Sequence, residues 1–528
     1  RKAAGGAECV VRLEDGGERR WSFRLDDLPD DETAKVERVA YVRKRLVLPE
    51  RVPHGYHRLT LELPTGRAET LLIAAPTRAF SPRGRGWERT WGVFLPLYSL
   101  RSERSWGAGD FADFERLIDW TAGLGGGLVG TLPLLAAFLD EPYEISPYSP
   151  VSRLFWNEFY VSVDDVPEVS ASPAARALRE SGEVAAELDA LRSASLVDYR
   201  RLAALKRRVL EEAARAFFAG PSDRRADFER YVAQTPHLED YAAFRAVGER
   251  LRTPWTEWPT PLRDGAIGAS DCDEEARRYH LYVQWLADGQ LKAVSEKARA
   301  AGHGLYLDLP LGVDARGYDV WREREAFAVG VAGGAPPDPG FPKGQNWGFV
   351  PLHPEGVRDA GYRYVRAYLR HQLRHAGVLR IDHMPSFHRV YWIPPGADAA
   401  GGVYVRYPAD ELYAVFSLES HRHRTLLVGE DLGTVPPEVP RAMARHNFHR
   451  MYVVEYEAKP APDVALPDPP AGSLACVNTH DMPPFASYVA GKDIGERVGL
   501  GLLEADAAAG EERSRREIRD ALARFLAA

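Results

Sequence analysis

Short apolar runs separated by turn signals occupy the first part of the chain. Val, Leu and Tyr recur at strand spacing in residues 9–16, 20–28, 39–48, 56–63 and 70–75. In HRLTLEL, residues 57–63, apolar and polar positions alternate from Leu59 onward, which is typical of a strand with one buried face. Gly, Pro and Asp clusters separate the runs. The pattern predicts a small N-terminal β-sandwich domain over residues 1–83.

Beyond residue 84 the pattern changes to apolar strands that alternate with helical segments. The apolar runs are residues 93–97, 128–135, 304–311, 378–384, 425–432, 451–457 and 474–481. Residues 173–300 carry Ala, Leu, Glu and Arg at helical spacing, which predicts a helical insertion at about 160–300. Strands that alternate with helices indicate βα units and a parallel sheet. We therefore expect residues 84–528 to form an α/β catalytic domain, a (β/α)8 TIM-type barrel whose closing eighth strand is missing from the C-terminal stretch.

Composition narrows the class of protein. Of the 528 residues, 45% are apolar and 27% are charged, as in globular proteins with a large core. The net charge of −8 argues against a nucleic-acid-binding surface. Three widely spaced cysteines suit a reducing compartment, and the longest apolar stretch, residues 126–139, is too short to span a membrane. These features predict a cytoplasmic protein without nucleic-acid or membrane partners, and they leave its oligomeric state open.

Acidic residues occupy equivalent places in four of the predicted strands. Asp308 lies near the end of LYLDLPL, and Asp382, Glu430 and Asp481 end the runs VLRID, TLLVGE and ACVNTHD. The carboxyl ends of the strands build the active site of a parallel barrel, so these four acids are expected to converge. A single acid at a strand end is more often the N-cap of the next helix. Four acids at such positions favour an active site instead.

The chemistry of these acids points to cleavage of glycosidic bonds. Arg380 and Asp382 lie two residues apart on a strand and so face the same side, where the guanidinium would keep the carboxylate ionised. A structural salt bridge is the alternative. Glu430 precedes Asp431 and would share the site with Asp382. Because negative neighbours and partial burial raise a carboxyl pKa, Glu430 is expected to stay protonated as a general acid. One ionised and one protonated carboxyl group, about 5 Å apart, would give a retaining reaction.

Histidines occur in two contexts. His383 and His480 each adjoin an acid, and we expect them to hydrogen-bond sugar hydroxyls at the cleavage point. His371 and His375 have the spacing of a zinc-protease helix, but Gln372 stands where the general base would be, so they are interpreted as a helix surface. We predict no metal and no cofactor.

A stiff loop follows the Asp308 strand. Residues 333–348 read GGAPPDPGFPKGQNWG and include Phe341 and Trp347. A lid that stacks on sugar and excludes water would have this composition, although a proline-rich loop is more often a plain connector. We favour the lid because the loop comes directly after one of the acid-bearing strands.

These motifs, in this order, resemble the 4-α-glucanotransferases of the amylomaltase type, glycoside hydrolase family 77. The likeness covers about residues 91–488 and rests on SPYSPVSRLFWNEFY (residues 146–160), LDLPLGVDARGYDVW (307–321), GAPPDPGFPKGQNWG, LRIDHM, GEDLG and NTHD. It implies disproportionation of α-1,4-glucans, with maltooligosaccharides and glucose as donors and acceptors. The chain departs from the family where Met482 and two prolines follow Thr-His-Asp, and it stops before the family's C-terminal segment.

The resemblance also implies roles for individual residues. Asp382 would be the nucleophile that forms a covalent glucosyl-enzyme, Glu430 the general acid/base, and Asp481 the acid that stabilises the transition state. Substrate would be bound by Tyr148, Asp308, Asp338, Gln345, Trp347, Arg380, His383 and His480. The alternatives are a hydrolase with the same acids, a non-catalytic glucan-binding protein, and a metal-dependent barrel hydrolase.

Overall fold

Six strands build the N-terminal region of the computed structural model, which describes residues 5–82, 87, 89–338 and 341–527. They are β1 (Gly6–Arg12), β2 (Glu18–Arg24), β3 (Asp30–Val36), β4 (Val39–Lys44), β5 (Gly55–Leu63) and β6 (Gly66–Ala74). Four form an antiparallel sheet in the order β2-β1-β5-β6, and β3 pairs with β4 as a separate hairpin. The sequence pattern predicted five of the six. It missed β3 because DDETAKV is polar and exposed along its whole length.

The next segment contains two short strands and most of the helices. Its elements are β7 (Gly92–Phe94), α1 (Phe111–Gly123), β8 (Leu128–Gly130), α2 (Pro167–Ala171), α3 (Pro173–Arg179), α4 (Gly182–Ser193), α5 (Tyr199–Ala219), α6 (Arg225–Gln234), α7 (Leu238–Leu251), α8 (Thr260–Arg263) and α9 (Glu274–Ala301). Asp110 begins α1 in a capping box with Asp113, which satisfies backbone donors at the first turn. The helices α2 to α9 occupy the segment where the Ala/Leu/Glu/Arg pattern predicted an insertion.

Strands and helices alternate in the last part of the chain. Its elements are β9 (Leu305–Leu309), α10 (Tyr318–Arg322), β10 (Ala332–Ala335), β11 (Gln345–Asn346), α11 (Pro354–Asp359), α12 (Arg363–Leu373), β12 (Ala376–Ile381), β13 (Arg389–Ile393), β14 (Val403–Arg406), α13 (Ala409–His423), β15 (Leu426–Gly429), α14 (Glu438–His446), β16 (Arg450–Val453), α15 (Val454–Glu457), β17 (Ser473–Cys476), α16 (Phe485–Val489), α17 (Lys492–Gly499) and α18 (Ala505–Ala527). None of the helices in the described ranges is both long and apolar enough to cross a membrane.

Seven parallel strands form the sheet that carries the predicted acids. Five are hydrogen-bonded in the order β7-β8-β9-β12-β15, and β16 pairs in parallel with β17. A parallel bridge between Val428 and His449 connects the two groups. Each of the seven strands overlaps one predicted apolar run. Within the described ranges, β7 and β17 each pair with a single strand.

The structure also contains a second sheet, of four antiparallel strands. We call it the lid sheet; its order is β11-β10-β13-β14, and its strands come from the connections that follow β9 and β12. The stiff segment 333–348, expected to be a loop, therefore contributes to two strands. Residues 339 and 340 of that segment lie outside the described residues.

The N-terminal region contacts the helices α12 and α13. The Tyr56 ring lies 3.8 Å from the Arg366 guanidinium carbon and 5.1 Å from that of Arg422. Glu14 accepts hydrogen bonds from the Tyr56 backbone N–H at 3.0 Å and from Arg422. Tyr56 also belongs to the main hydrophobic core. The predicted boundary between residues 83 and 84 lies outside the described residues.

Candidate active site

One arginine holds two carboxylates at the carboxyl ends of β9 and β12. The parallel register places Arg380 opposite Asp308. Nη1 of Arg380 lies 2.8 and 2.9 Å from the two Asp308 oxygens and 3.0 Å from Oδ1 of Asp382. Burial raises the pKa of Asp308, and the Arg380 charge opposes that rise. Because Asp382 keeps 22% of its side chain exposed while Asp308 is fully buried, Asp382 is the carboxylate that a substrate can reach.

Glu430 follows β15 and lies beside the Asp382 segment. Its Oε2 accepts a hydrogen bond of 3.0 Å from the His383 backbone N–H, and its Oε1 accepts one of 2.7 Å from Leu432. Burial raises the pKa of Glu430 to about 7, and the negative charge of Asp382 contributes to the rise. At neutral pH, a carboxyl group with this pKa is partly protonated beside a second carboxyl group. That is the condition for general acid catalysis.

The two acids expected near Glu430, Asp382 and Asp431, are placed differently. Asp431 accepts a hydrogen bond of 3.1 Å from the Met451 backbone N–H and forms an ion pair with Arg450. It is buried against β16. Successive residues of an extended chain point to opposite sides, so a neighbour in sequence turns away from Glu430. Of the two acids expected to raise the pKa of Glu430, Asp382 contributes to the rise, together with burial, whereas Asp431 is turned away.

His383 connects the carboxyl groups to the lid sheet. Its backbone has a φ of 50°, a left-handed conformation that aims its N–H at Glu430. Burial lowers the pKa of its imidazole, which is therefore neutral at pH 7. The Trp347 ring meets it edge-on at 5.3 Å and donates an indole hydrogen bond of 3.2 Å to Gln345. Trp347 is 37% exposed, so part of its ring is open to a ligand.

Tyr148 and His480 form the opposite side of the site. Their rings stack at 4.7 Å with an angle of 8°. The Tyr148 hydroxyl donates a hydrogen bond to Asp308. Burial and the Asp308 charge raise the pKa of Tyr148 well above its ordinary value, so the hydroxyl remains a donor. His480 Nε2 lies 3.3 Å from Asp481, which links the loop after β17 to this side.

Two predicted site residues are placed differently from the rest. Asp481 is 75% exposed, and its backbone N–H donates to Thr479 at 3.3 Å. Asp338 lies between β10 and β11, where its carboxylate accepts a hydrogen bond of 2.7 Å from the Phe341 backbone. Asp481 is thus at the exposed edge of the candidate site. Asp338 stabilises the turn between β10 and β11.

The sequence did not single out Tyr456, which lies three residues after β16, in α15. Partial burial and the negative charges of Asp481 and Glu430 raise the pKa of Tyr456. Its side chain is 62% exposed. The sequence could have indicated it, because Tyr456 lies near the end of the predicted strand 451–457, just as the acids lie at the ends of their predicted strands.

His371, in the last turn of α12, and His375, just beyond its end, do not form an exposed helix surface, contrary to the prediction. His375 is buried, and the His371 ring stacks on Trp156 at 4.0 Å. This face of α12 turns inward because Asp288 on α9 pairs with Arg374 and receives the Trp156 indole N–H at 3.0 Å. Among the described residues, no group of three or more His, Cys, Asp or Glu side chains is arranged to hold a metal ion.

The fold, with acids at the carboxyl ends of its parallel strands, is typical of a class of enzymes whose active site lies at that edge of the sheet. Comparison with known families then identifies the chain. The 4-alpha-glucanotransferase family, glycoside hydrolase family 77, matches residues 95–528, and the MalQ N-terminal beta sandwich domain matches residues 2–76. The chain belongs to this family, whose members transfer glucan segments. The N-terminal match also confirms the predicted β-sandwich.

Individual relatives agree with this assignment. A 4-alpha-glucanotransferase of Mycobacterium tuberculosis is 34% identical over 519 residues, which is 94% of this chain and 70% of the relative. One of Haemophilus influenzae is 31% identical over 92% of this chain and 72% of the relative. Among solved structures, an amylomaltase of Corynebacterium glutamicum gives a TM-score of 0.80 at 30% identity, covering 98% of this chain and 73% of its own. An amylomaltase of Streptococcus agalactiae in complex with acarbose shares the fold, with a TM-score of 0.62 at 21% identity over 74% of this chain and 79% of its own.

Proposed function

We propose that the enzyme transfers α-1,4-glucan segments between maltooligosaccharides by a retaining double displacement through a covalent glycosyl-aspartate. One observation carries the proposal. Asp382 is held in an ion pair with Arg380, while the adjacent Glu430 has a pKa raised to about 7. The two carboxyl groups therefore differ in protonation at neutral pH, and each suits one of the roles that a retaining reaction needs.

In the first step Asp382 attacks the anomeric carbon of the donor. The bond from that carbon to the leaving glucan oxygen breaks, and Glu430 gives its proton to that oxygen. The products are a shortened glucan and a glycosyl ester on Asp382. Since Arg380 donates to Asp308 and pairs with Asp382, it fixes the attacking carboxylate while part of that carboxylate stays exposed.

In the second step the 4-hydroxyl of an acceptor glucan takes the place of water. Glu430, now ionised, accepts the hydroxyl proton, and the acceptor oxygen attacks the anomeric carbon and releases Asp382. Two inversions give net retention. Transfer prevails over hydrolysis when the acceptor is bound and water is excluded, and we assign the exclusion of water to the lid sheet with Trp347.

The remaining predicted residues complete the substrate groove in this proposal. Tyr148 and Asp308, with His383 and His480, surround the sugar at the cleavage point; Gln345 and Trp347, with Asp338, contribute outlying subsites. Asp481 stabilises the transition state. Its exposure of 75% leaves its carboxylate accessible to a bound sugar.

The proposal extends to the organisation of the chain. We divide it into an N-terminal domain, residues 1–83, and a catalytic domain, residues 84–528, with the helices α2 to α9 as an insertion. We also propose a cytoplasmic enzyme, since Cys9, Cys272 and Cys476 are free thiols, as a reducing compartment requires.

Trapping the intermediate tests the mechanism. In Glu430→Gln, α-maltosyl fluoride should still glycosylate Asp382, because fluoride leaves without a proton, but transfer to an acceptor should be slow. We expect intact-protein mass spectrometry to show one added maltosyl group, and peptide mapping to place it on Asp382. The matched control, Glu430→Gln combined with Asp382→Asn, should gain no group. An adduct on another residue, or equal labelling of the control, would contradict the assignment.

A further inference from the structure

Two buried charged residues join the loops that carry the walls of the proposed site. Arg153 belongs to the connection after β8, five residues beyond Tyr148. Asp319 belongs to the connection after β9, the strand that carries Asp308. Both are buried, with 2% and 0% of their surface exposed, so neither can touch a substrate. A buried ion costs several kcal/mol of desolvation unless its partners compensate, so these partners need an explanation.

Asp319 gathers three donors from two different segments. It accepts hydrogen bonds from the Ser152 hydroxyl at 2.5 Å, from the Arg153 backbone N–H at 2.8 Å and from the Tyr364 hydroxyl at 2.5 Å. Ser152 and Arg153 belong to the connection after β8, and Tyr364 to α12. Asp319 therefore fixes the backbone that leads away from Tyr148.

Arg153 makes the reciprocal connection to the end of β9. Its Nη1 donates to the carbonyl oxygens of Pro310 at 3.3 Å and Leu311 at 3.1 Å, the second and third residues after Asp308. Its Nε donates to the Tyr364 hydroxyl at 3.1 Å, and its guanidinium lies 4.1 Å from the centre of the Tyr368 ring. The planar fork thus uses several donors in fixed directions, which a lysine cannot reproduce.

The backbones of the two connections also approach closely at this point. The Asp314 N–H donates to the Pro150 carbonyl at 2.9 Å. A Cβ atom on Gly317 would come within 2.5 Å of the Val151 carbonyl oxygen, so this approach requires glycine. The two connections are therefore locked in one relative position, with Tyr148 on one and Asp308 at the base of the other.

We propose that Arg153 and Asp319 are positioning residues that keep Tyr148 in hydrogen-bonding contact with Asp308. Since Asp308 holds Arg380, and Arg380 holds Asp382, the pair also fixes the attacking carboxylate. The inference rests on the proposed function, because it assigns the consequence to the reaction at Asp382. Displacement of about 1 Å at a reacting group can cost about 100-fold in rate, so loss of the pair should act on kcat.

The test compares Arg153→Lys and Arg153→Met with the wild-type enzyme on maltotriose, well below the unfolding temperature. We expect kcat to fall about 10- to 100-fold, with KM changed by less than about threefold. Arg153→Lys should recover little activity, because it cannot donate to Pro310, Leu311 and Tyr364 together. The matched control is Arg245→Lys, which weakens a buried pair between Arg245 of α7, in the helical insertion, and Glu158, in the segment before α2. It should lower the unfolding temperature and leave kcat unchanged.

A double-mutant cycle with Tyr148→Phe separates positioning from general destabilisation. If Arg153 acts through Tyr148 and Asp308, the double variant should be scarcely slower than the slower single variant. Multiplication of the two effects, or folded Arg153 variants with kcat within twofold of wild type, would overturn the proposal. If both Arg153 variants fail to fold, Ser152→Ala, which removes one donor to Asp319, must show the same selective loss of kcat. A wild-type enzyme without transfer activity would instead contradict the proposed function.

Discussion

The replacement Glu430→Gln removes the carboxyl group whose raised pKa suits it to act as the general acid. A glutamate ordinarily has a pKa of 4.5, and here burial, with the charge of Asp382, raises it to about 7. This rise in pKa makes the ionised form of Glu430 about 3 kcal/mol less favourable than it is in water. At pH 6 about nine in ten wild-type molecules therefore hold the proton, against about one in thirty for an unshifted glutamate.

The raised pKa of Glu430 predicts how activity and stability depend on pH. In the wild-type enzyme, kcat/KM for maltotriose should fall about tenfold per pH unit above about pH 7, as Glu430 loses the proton that the leaving oxygen needs. Stability should change with the same group. The unfolded state releases this proton near pH 4.5 and the folded state only near 7, so stability falls as pH rises between these values. Glu430→Gln, which stays neutral, should unfold at a higher temperature than wild type at pH 8.

The assay separates the two roles of Glu430. Turnover of maltotriose by Glu430→Gln should fall about 10²- to 10⁴-fold, whereas α-maltosyl fluoride should still release an initial equivalent of fluoride, measured with an ion-selective electrode. Azide should accelerate further turnover and give maltosyl azide with retained configuration, because an anion needs no general base. An equal loss on both donors, or an unchanged fall in activity above pH 7 in the variant, would refute the reasoning.

Three further predictions follow from the structure. Asp382→Asn should stay folded, as checked by circular dichroism, and lose transfer by several orders of magnitude; turnover above about one part in a hundred of wild type would contradict its role as nucleophile. Trp347→Ala should increase the share of hydrolysis over transfer, seen as reducing ends formed from maltotriose, and an unchanged ratio would remove the lid sheet from water exclusion. Tyr56→Ala should destabilise the protein by about 3–5 kcal/mol, since a buried aromatic ring is deleted between Arg366 and Arg422, and its thermal unfolding should shift while kcat does not. A stable Tyr56→Ala protein would mean that the interface depends on the other contacts of Glu14.

The seven parallel strands were predictable because each overlaps a short apolar run, although β7 and β17 contain no fully buried residue. β12, Ala376–Ile381, is buried at every position and needs no partner to be recognised. The hairpin strand β3 lacks that signal, since all its residues are exposed. The lid sheet was not predictable either, because β10 has the sequence AGGA and finds its partner β13 more than fifty residues away. A local sequence pattern does not predict a strand whose hydrogen-bonding partner is distant in the chain and whose side chains are small.

The site shows the same division between local and distant effects. The contact between Arg380 and Asp382 followed from their spacing, and the structure contains it at 3.0 Å. The charge of Asp382 near Glu430 was also expected, because both acids end parallel strands, whereas Asp431, the neighbour in sequence, turns toward β16 instead. Residues on neighbouring strand ends meet only once the order of strands in the sheet is known.

The measurement that tests the central claim most directly is chromatography of the products from maltotriose, together with a count of reducing ends over time. A 4-α-glucanotransferase with the mechanism proposed here should give glucose and a ladder of longer maltooligosaccharides while the number of reducing ends stays constant. A rising number of reducing ends with only shorter products would show hydrolysis by the same carboxyl groups and would contradict the account.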